Sequence, residues 1–584
     1  MSEYPYFLLG TAFLLSSTVS AQTLVSNPIG QIGTIQQQDI KDIQYLEKEK
    51  RAIRDYENLQ KGQEQKNKEK TVSKPQKTSE RAKPSEYMTK GVYIEKIEVD
   101  TSDILRDDEI HLITSDYETA NVTMSDLNDM INRINELYLN KGFVTARAYL
   151  PEQTIENGKL RIALLEGKVG DVVISGNRWT KSSHIKNRLD MREGEIFNIQ
   201  KLENNILVYN RYNDNISIKG NLTAGNKTGT TDISIQTEEK APYHLTAVVD
   251  NAGRETIGKN RAGLIAGHDS LFGYRDKLSV GIYANRYSYT PFIDYNIPIN
   301  KADGRLGISF SHNNAEIGRG DYRDFNIESR SQNYSIYYSH PIIRELYKEF
   351  NSVTSFTYKR AVTSFDGEDL YKDKIPELKT GVNFRYDTEH GIWYLGQSIS
   401  YAAPWFNKNI DYLKFEGNIL RLHDFGHRIL GNFRGNYQYI PQDVIPYADQ
   451  MSAGGFGSVR GYSQGLLTAK SGYQLSAEIY FPIGPEEFKI VDKFYRTDEY
   501  IRPFVFTDYA ELFPYKGTGL GSESHNGNDV LWSAGVGLRF QLPYDIVVKA
   551  AYGFQLHDND YEKRNKGDWS LEFSFSPDFN KFFE

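Results

Sequence analysis

The sequence predicts a transmembrane β-barrel from about residue 241 to 584, preceded by two small α+β units and an N-terminal polar helix. Three observations lead there. The C-terminal part alternates with period two: Leu278, Val280 and Ile282 against Ser279, Gly281 and Tyr283; Leu306, Ile308 and Phe310 against Gly307, Ser309 and Ser311. The same holds for Leu475, Ala477 and Ile479 against Gln474, Ser476 and Glu478, for Trp532 to Phe540, and for Trp569 to Phe575. One face is apolar and aromatic and the other small, polar or charged, as in a barrel that meets lipid outside and water inside. No stretch reaches the ~18 apolar residues of a spanning helix, so a membrane location requires strands closed on themselves. The third observation is the 41 Tyr and 30 Phe, side chains suited to a membrane–water boundary.

At 584 residues the chain is too long for one ordinary domain. Its 69 Lys plus Arg against 77 Asp plus Glu give a net charge of -8, which argues against a nucleic-acid footprint along the chain. With no cysteine, disulfides and thiol chemistry are excluded.

Residues 1–21 are expected to be an export signal. Phe7 to Leu15 is a short apolar run and Val19-Ser-Ala21 offers small residues for cleavage. The departure is the first segment, which has Glu3 and no Lys or Arg. Residues 22–62 are polar, with a helix expected over about 35–61, capped by Thr34 and stopped by Gly62. Its thin stripe of Ile40, Ile43, Leu46, Ile53, Tyr56 and Leu59 leaves little to bury. Such a helix would run ~40 Å. Lys-rich residues 63–90, with Pro75 and Pro84, read as a flexible linker.

Residues 91–168 read as one α+β unit. Val92 to Val99 alternates as a strand. Leu127, Met130, Ile131, Ile134, Leu137 and Tyr138 have helical spacing, with Thr123 or Ser125 as cap and Gly142 past the end. Phe143 to Leu150 and Lys159 to Leu165 read as strands, with Asn157-Gly158 a hairpin signal between them. Residues 169–240 repeat the theme: strand 172–175, helix 199–212 with Leu202, Ile206 and Tyr209 inward, and strands 216–218 and 232–236. Beyond 241 the strands follow, joined by alternately short and long polar connections expected to be periplasmic turns and external loops.

Catalytic patterns are missing: there is no G-x-S-x-G, no H-E-x-x-H and no P-loop spacing. Gly225 to Gly229 reads as a hairpin turn and His557-Asp-Asn-Asp560 as an exposed acidic loop. No enzyme activity, metal or cofactor is expected.

Met451 to Tyr462 stands apart, with four glycines around one charge, Arg460. Gly454-Gly-Phe-Gly-Ser-Val-Arg-Gly-Tyr462 matches a VRGY/F loop motif, and Phe143 to Gln153 followed by Lys159 to Gly167 looks like a first POTRA domain. With the domain order, these segments resemble the TpsB outer-membrane transporters of two-partner secretion (ShlB/FhaC/HecB-like) across nearly all of the mature chain. The loop motif is shared with barrel-assembly insertases.

The resemblance implies a sixteen-stranded barrel in the outer membrane, with POTRA domains at 91–168 and 169–240 in the periplasm. It also implies that Val459, Arg460, Gly461 and Tyr462 fold back into the lumen. There Arg460 would meet Asp508 of an F-x-D-x-G motif, here Phe506-Thr-Asp-Tyr-Ala510. The last residue departs from the pattern, and its Cβ puts a close backbone approach in doubt. On its residues alone Arg460 reads as a solvated loop residue worth under ~1 kcal/mol. Further implications are that the polar helix plugs the lumen and that the cargo is an unfolded TpsA-like exoprotein with an N-terminal secretion domain. Lipid, the barrel-assembly machinery and a monomeric state complete the expected partnerships. Alternatives are a barrel-assembly insertase and a diffusion porin. Family barrels end on an aromatic residue, whereas this chain ends Phe582-Phe-Glu584, so Phe583 or Phe575 would serve.

Overall fold

The computed structural model describes Ile53, Tyr56 and residues 91–575, apart from 214, 321, 407–409, 443–444, 485–486, 491–492, 514–528, 543–545 and 560–566. The expected signal, the linker, most of the polar helix and the C-terminal Phe583 lie outside the described residues. The described residues divide into two compact units, one within 91–240 and one holding the barrel together with Ile53 and Tyr56.

Within 91–240 the same arrangement occurs twice. Lys96–Val99 runs parallel to Lys159–Leu165, which pairs antiparallel with Arg147–Tyr149. Lys168–Ser175 likewise runs parallel to Thr230–Glu239, which pairs antiparallel with Ile216–Ala224. Each sheet is covered by helices. Met124–Asn140 begins at Thr123, whose hydroxyl accepts from the Asp126 N–H while the Asp126 carboxylate accepts from the Thr123 N–H, a reciprocal cap. It buries Leu127, Met130, Ile134 and Tyr138, and Gly142 follows at φ +85°. Ile199–Tyr212 buries Leu202 and Tyr209.

Three local expectations change. Val92 to Val99 is two strands, because Val92–Ile94 pairs with Ala120–Val122 while Lys96–Val99 pairs with Lys159–Leu165. Phe143 to Leu150 contributes only Arg147–Tyr149, which meets Ala163 to Leu165 at the far end of its partner. The Asn157-Gly158 turn has both residues at positive φ but is closed by a single bridge, Glu156 to Lys159. Between the two, the Gln153 carboxamide stands in for a strand, bonding both the N–H and C=O of Arg161. Helices Asp107–Thr114 and Ser182–Leu189 were not anticipated. Gly225 to Gly229 does turn between strands Ile216–Ala224 and Thr230–Glu239.

The other unit closes sixteen antiparallel strands into a barrel. In chain and spatial order they are Tyr243–Asp250, Arg261–His268, Lys277–Asn285, Ser288–Pro298, Arg305–Glu316, Ile327–Arg344, Lys348–Phe365, Glu368–Thr388, Gly391–Ala402, Tyr412–Asp424, Leu430–Tyr439, Ser471–Tyr480, Ile501–Phe513, Val530–Leu542, Ile546–Gln555 and Gly567–Phe575. Among the described residues the seam is closed by Glu572 to Phe575 pairing with Ala247 to Asp250. The Asn251 carboxamide extends it by bonding the Trp569 carbonyl and the Leu571 N–H.

Burial is inverted relative to a soluble sheet. Val280, Ile282, Ile308, Leu475, Trp532, Val536 and Leu571 are exposed, while Ser279, Ser311, Gln474, Ser476, Glu478 and Ser533 are buried. Apolar groups face outward for lipid, and polar ones face a lumen.

The alternation of loop lengths is broken. Residues 366–367 form a two-residue turn, where a long loop was expected, because Lys348–Phe365 and Glu368–Thr388 themselves run 18 and 21 residues. A strand needs only ~9–11 to span, so these continue as a hairpin, turned by Asp366 and Gly367 at positive φ. On the other rim, 481–500 carries its own small hairpin, Glu487–Ile490 with Lys493–Arg496.

Candidate functional site

The connection over 440–470 turns inward. Its limbs pair as Met451–Ala453 with Leu467–Ala469, and the tip is held by its own backbone: Gly465 N–H to Gly454 C=O, and Gly455 N–H to Val459 C=O, both 3.0 Å. Gly454, Gly455 and Gly461 sit at φ +109°, +89° and +91°, where a side chain is strained. Gly461 has a second constraint. A Cβ there would lie 2.6 Å from the Gly553 carbonyl, and one on Gly553 would lie 2.7 Å from the Arg460 carbonyl. The loop backbone therefore lies directly on the backbone of strand Ile546–Gln555.

Arg460 is 3% exposed and is satisfied by the barrel wall. Its Nε and Nη2 donate to Asp508 Oδ2 and Oδ1 at 2.7 and 2.8 Å. Its backbone N–H donates to the same carboxylate at 3.1 Å, and Nη1 donates to Glu478 at 2.5 Å. Glu478 also accepts from Lys549 at 3.1 Å and from the Tyr480 hydroxyl at 2.6 Å, and Ser476 donates to Asp508 at 2.6 Å. Arg460 and Lys549, with Arg434 4.0 Å from Asp508, thus face two carboxylates in a buried setting, where such bonds are strong only if every member is paired. The Arg460 guanidinium stacks 3.6 Å from the Phe506 ring centre. That ring and the one on Phe504 have room because their cross-strand partners are Gly535 and Gly537; a Cβ on either would come within 2.4 and 2.3 Å of the rings.

The other expected site residues fall in place around this clasp. Val459 is fully buried, the Gly461 carbonyl accepts from Gln555, and the Tyr462 hydroxyl lies 2.6 Å from the His557 carbonyl oxygen. Ala510 continues an unbroken ladder between Gln474 and Leu531, and its methyl belongs to the buried cluster of Val459 and Tyr462. Close backbone approach occurs at Gly553 instead, so Ala510 creates no conflict. The sequence reading did not assign Glu478 and Lys549 to the site. Their signal was a charge at an inward position of a period-two strand.

Ile53 and Tyr56, from the expected plug helix, are helical and buried. They share one cluster with lumen-facing Ile392, Leu422, Leu430, Tyr480, Phe504, Phe506 and Ala551, and the Tyr56 hydroxyl donates to Asp424 at 2.5 Å. Phe506 therefore belongs both to the clasp and to the seat of these two residues. Among the described residues no group of His, Asp and Glu could hold a metal ion.

Comparison with known proteins agrees with this architecture. The haemolysin secretion/activation protein family ShlB/FhaC/HecB matches residues 229–540, a ShlB-type POTRA domain matches 92–167, and a surface antigen variable number repeat POTRA matches 167–240. Heme/hemopexin transporter protein HuxB of Haemophilus influenzae (strain 86-028NP) is 24% identical over 494 residues, covering 79% of this chain and 82% of the relative. Hemolysin transporter protein ShlB of Serratia marcescens is 23% identical over 379 residues, 61% of this chain and 66% of the relative. Among solved structures, CdiB from Escherichia coli has a TM-score of 0.65 at 15% identity, covering 95% of this chain and 99% of that one. BamA from Haemophilus ducreyi lacking POTRA domains 1–3 has a TM-score of 0.53 at 14% identity, covering 83% and 100%.

Proposed function

The chain belongs to the haemolysin secretion/activation protein family (ShlB/FhaC/HecB), and from that premise we propose that the loop bearing Arg460 is the gate of its pore. The protein is an outer-membrane transporter of two-partner secretion, moving an exoprotein to the cell surface, with its POTRA domains in the periplasm.

The finer reading is a passive pore. An unfolded exoprotein is captured at a POTRA sheet edge by β-augmentation, which reads backbone more than side chains. It then passes through the lumen once the helix around Ile53 and Tyr56 leaves and the Arg460 loop yields. The carrying observation is the clasp itself: a loop inside the lumen, held to the wall by Asp508 and Glu478 rather than by apolar packing alone. Polar bonds of this kind weaken when water enters, because attraction falls with rising dielectric. Val459, Gly461 and Tyr462 hold the tip to the wall. Phe506 and Asp508 present the receiving surface. The cargo we propose is a large secreted exoprotein, of the kind implied by relatives named for hemolysin and heme/hemopexin transport. Lipid and the barrel-assembly machinery are the remaining partners, and the working unit is a monomer that turns over no cofactor.

The loop motif shared with barrel-assembly insertases keeps one alternative open, an insertase that opens its wall. Co-expression with a candidate exoprotein encoded beside the gene separates the two. Exoprotein in the medium that depends on residues 91–240 supports translocation. Retention in the periplasm beside a correctly inserted barrel points first to the wrong cargo, then to the insertase. A diffusion porin would survive deletion of 91–240 with its conductance intact.

A further inference from the structure

The loop over 440–470 is fastened a second time, before its chain reaches the clasp. The turn Tyr447–Asp449 carries the Asp449 side chain into a fully buried position. There the carboxylate accepts from Lys359 Nζ at 3.1 Å, from Lys414 Nζ at 2.9 Å and from the Tyr412 hydroxyl. Lys359 also donates to Glu377 at 2.6 Å, and Lys414 lies 3.6 Å from the same carboxylate. These four groups are 4% exposed or less at the side chain, and Lys414 also lies 3.9 Å from Glu416, which Lys379 pairs at 2.6 Å, so three cations meet three anions. The Asp449 backbone is held too: Gln438 Nε2 donates to its carbonyl at 2.5 Å and to the Lys470 carbonyl at 3.0 Å, so one carboxamide ties both limbs at the neck. Ile375, Ala402, Ile410, Ile440 and Ile445 pack around the set.

The wall strands used here are Lys348–Phe365, Glu368–Thr388 and Tyr412–Asp424. The clasp uses Ser471–Tyr480, Ile501–Phe513 and Ile546–Gln555. The ionised partners of the two sites stand on different strands, Lys359 and Lys549 on the seventh and fifteenth of sixteen, half the circumference apart; Leu430–Tyr439 borders both, with Gln438 on the Asp449 carbonyl and Arg434 4.0 Å from Asp508. An apolar side chain at 449 would fix a permanent plug at lower desolvation cost. A charged one makes an attachment that is firm while dry and weak once wetted.

We propose that Asp449 is a second, independent anchor of the lumen loop, a positioning residue that holds the inbound limb so that Arg460 arrives opposite Asp508. This deepens the reading of the loop as a gate: releasing Arg460 alone leaves the inbound limb tethered, and free passage requires both attachments to yield.

The chain has no cysteine, so one introduced thiol reports on the limb. Ala453 is fully buried between the two anchors, and Ala453→Cys is the reporter. The purified full-length protein is treated with a membrane-impermeant maleimide. Slow labelling is expected in the reporter alone and with Arg460→Ala added. With Asp449→Asn the rate should rise about tenfold or more, as local opening becomes cheaper. Asp449→Asn strands the Lys414 ammonium, so Asp449→Asn with Lys414→Met is the second variant. It keeps the Lys359–Glu377 pair balanced, and it decides the matter even if the single variant fails to insert. Labelling that stays high in the double variant supports an anchor. A return to the slow rate would mean that Asp449 only neutralises charge, and an equal rise with Arg460→Ala would deny independence; either overturns the proposal. Secretion is read in parallel. Fast labelling with unchanged secretion keeps the anchor and overturns the gate, which separates the two failures.

Discussion

Arg460 and Asp508 meet through two parallel hydrogen bonds of 2.7 and 2.8 Å, and a third bond reaches the same carboxylate from the Arg460 backbone. The side-chain pair fixes orientation as well as distance, since a planar guanidinium matches a carboxylate edge to edge. The backbone bond adds position, because the loop must present both its N–H and its side chain to one carboxylate. Glu478 then receives the remaining Nη1.

Arg460→Ala or Asp508→Ala is expected to lower secretion about tenfold or more while the barrel still inserts. Truncating one partner of a buried pair costs about 3–5 kcal/mol, here in loop docking, whereas the sixteen-strand ladder has its own bonds. Arg460→Lys should fail to rescue, because an ammonium cannot serve Asp508 and Glu478 in the same fork. Exoprotein in the medium and heat-modifiable gel migration give the two readouts. Unchanged secretion in both alanine variants would remove the gating role.

Gly553→Ala should resemble a loop mutation although it lies on a strand. Its Cβ would press to 2.7 Å from the Arg460 carbonyl, so the loop must lift. A barrel that folds normally but shows raised single-channel conductance in planar bilayers is the expected result. Gly435→Ala is the control, since the nearest atoms there are the side chains of Leu475 and Ile419 at 3.0 and 3.2 Å. Equal conductance for the two variants would count against loop contact at Gly553.

Tyr56→Phe removes the bond to Asp424, and Ile53→Asp puts a charge into an apolar cluster. A hydrogen bond to a charged group contributes about 1.5–3 kcal/mol, so both changes should increase the fraction of time the pore conducts, Ile53→Asp more strongly. If neither changes conductance, the helix is not seated in the lumen.

The Thr123 cap gives a pH test outside the membrane. The Thr123 hydroxyl, then its backbone N–H, hold the Asp126 carboxyl below the usual carboxylate range. A lowered value means a stabilising contribution that is complete above the unfolded pKa, near about 4. It is lost as pH falls through the lower folded value. Thr123→Ala should therefore lower the thermal midpoint of the 91–240 unit at neutral pH, with the difference shrinking below about pH 4. A deficit of the same size across the acid range would refute the hydroxyl–carboxylate bond of Thr123 and Asp126 as its source.

Much of the fold was legible because it follows from local periodicity. Alternation at period two requires strands with one face outward, and helical spacing from Leu127 to Tyr138 requires a one-sided helix. Val459 to Tyr462 and Phe506 to Asp508 could be paired because their motifs resemble a family's. Neither Val92 to Val99 nor Phe143 to Leu150 could be divided correctly, since alternation marks a strand without naming its partner. The Asp366-Gly367 turn was equally hidden: loop length is readable only when the strands stop at the membrane.

The sequence alone determined that a barrel forms, that its apolar face points outward, and that a glycine-rich loop with one arginine interrupts it. Only the tertiary structure decided what Asp449 touches and which groups join Arg460 and Asp508. Glu377, Lys414, Glu478 and Lys549 are inward charges on strands far apart in the chain, and nothing local pairs them. Closure brings them together, because a sixteen-stranded ring sets every inward side chain opposite others that sequence distance cannot rank. Burial then makes leaving any of them unpaired costly.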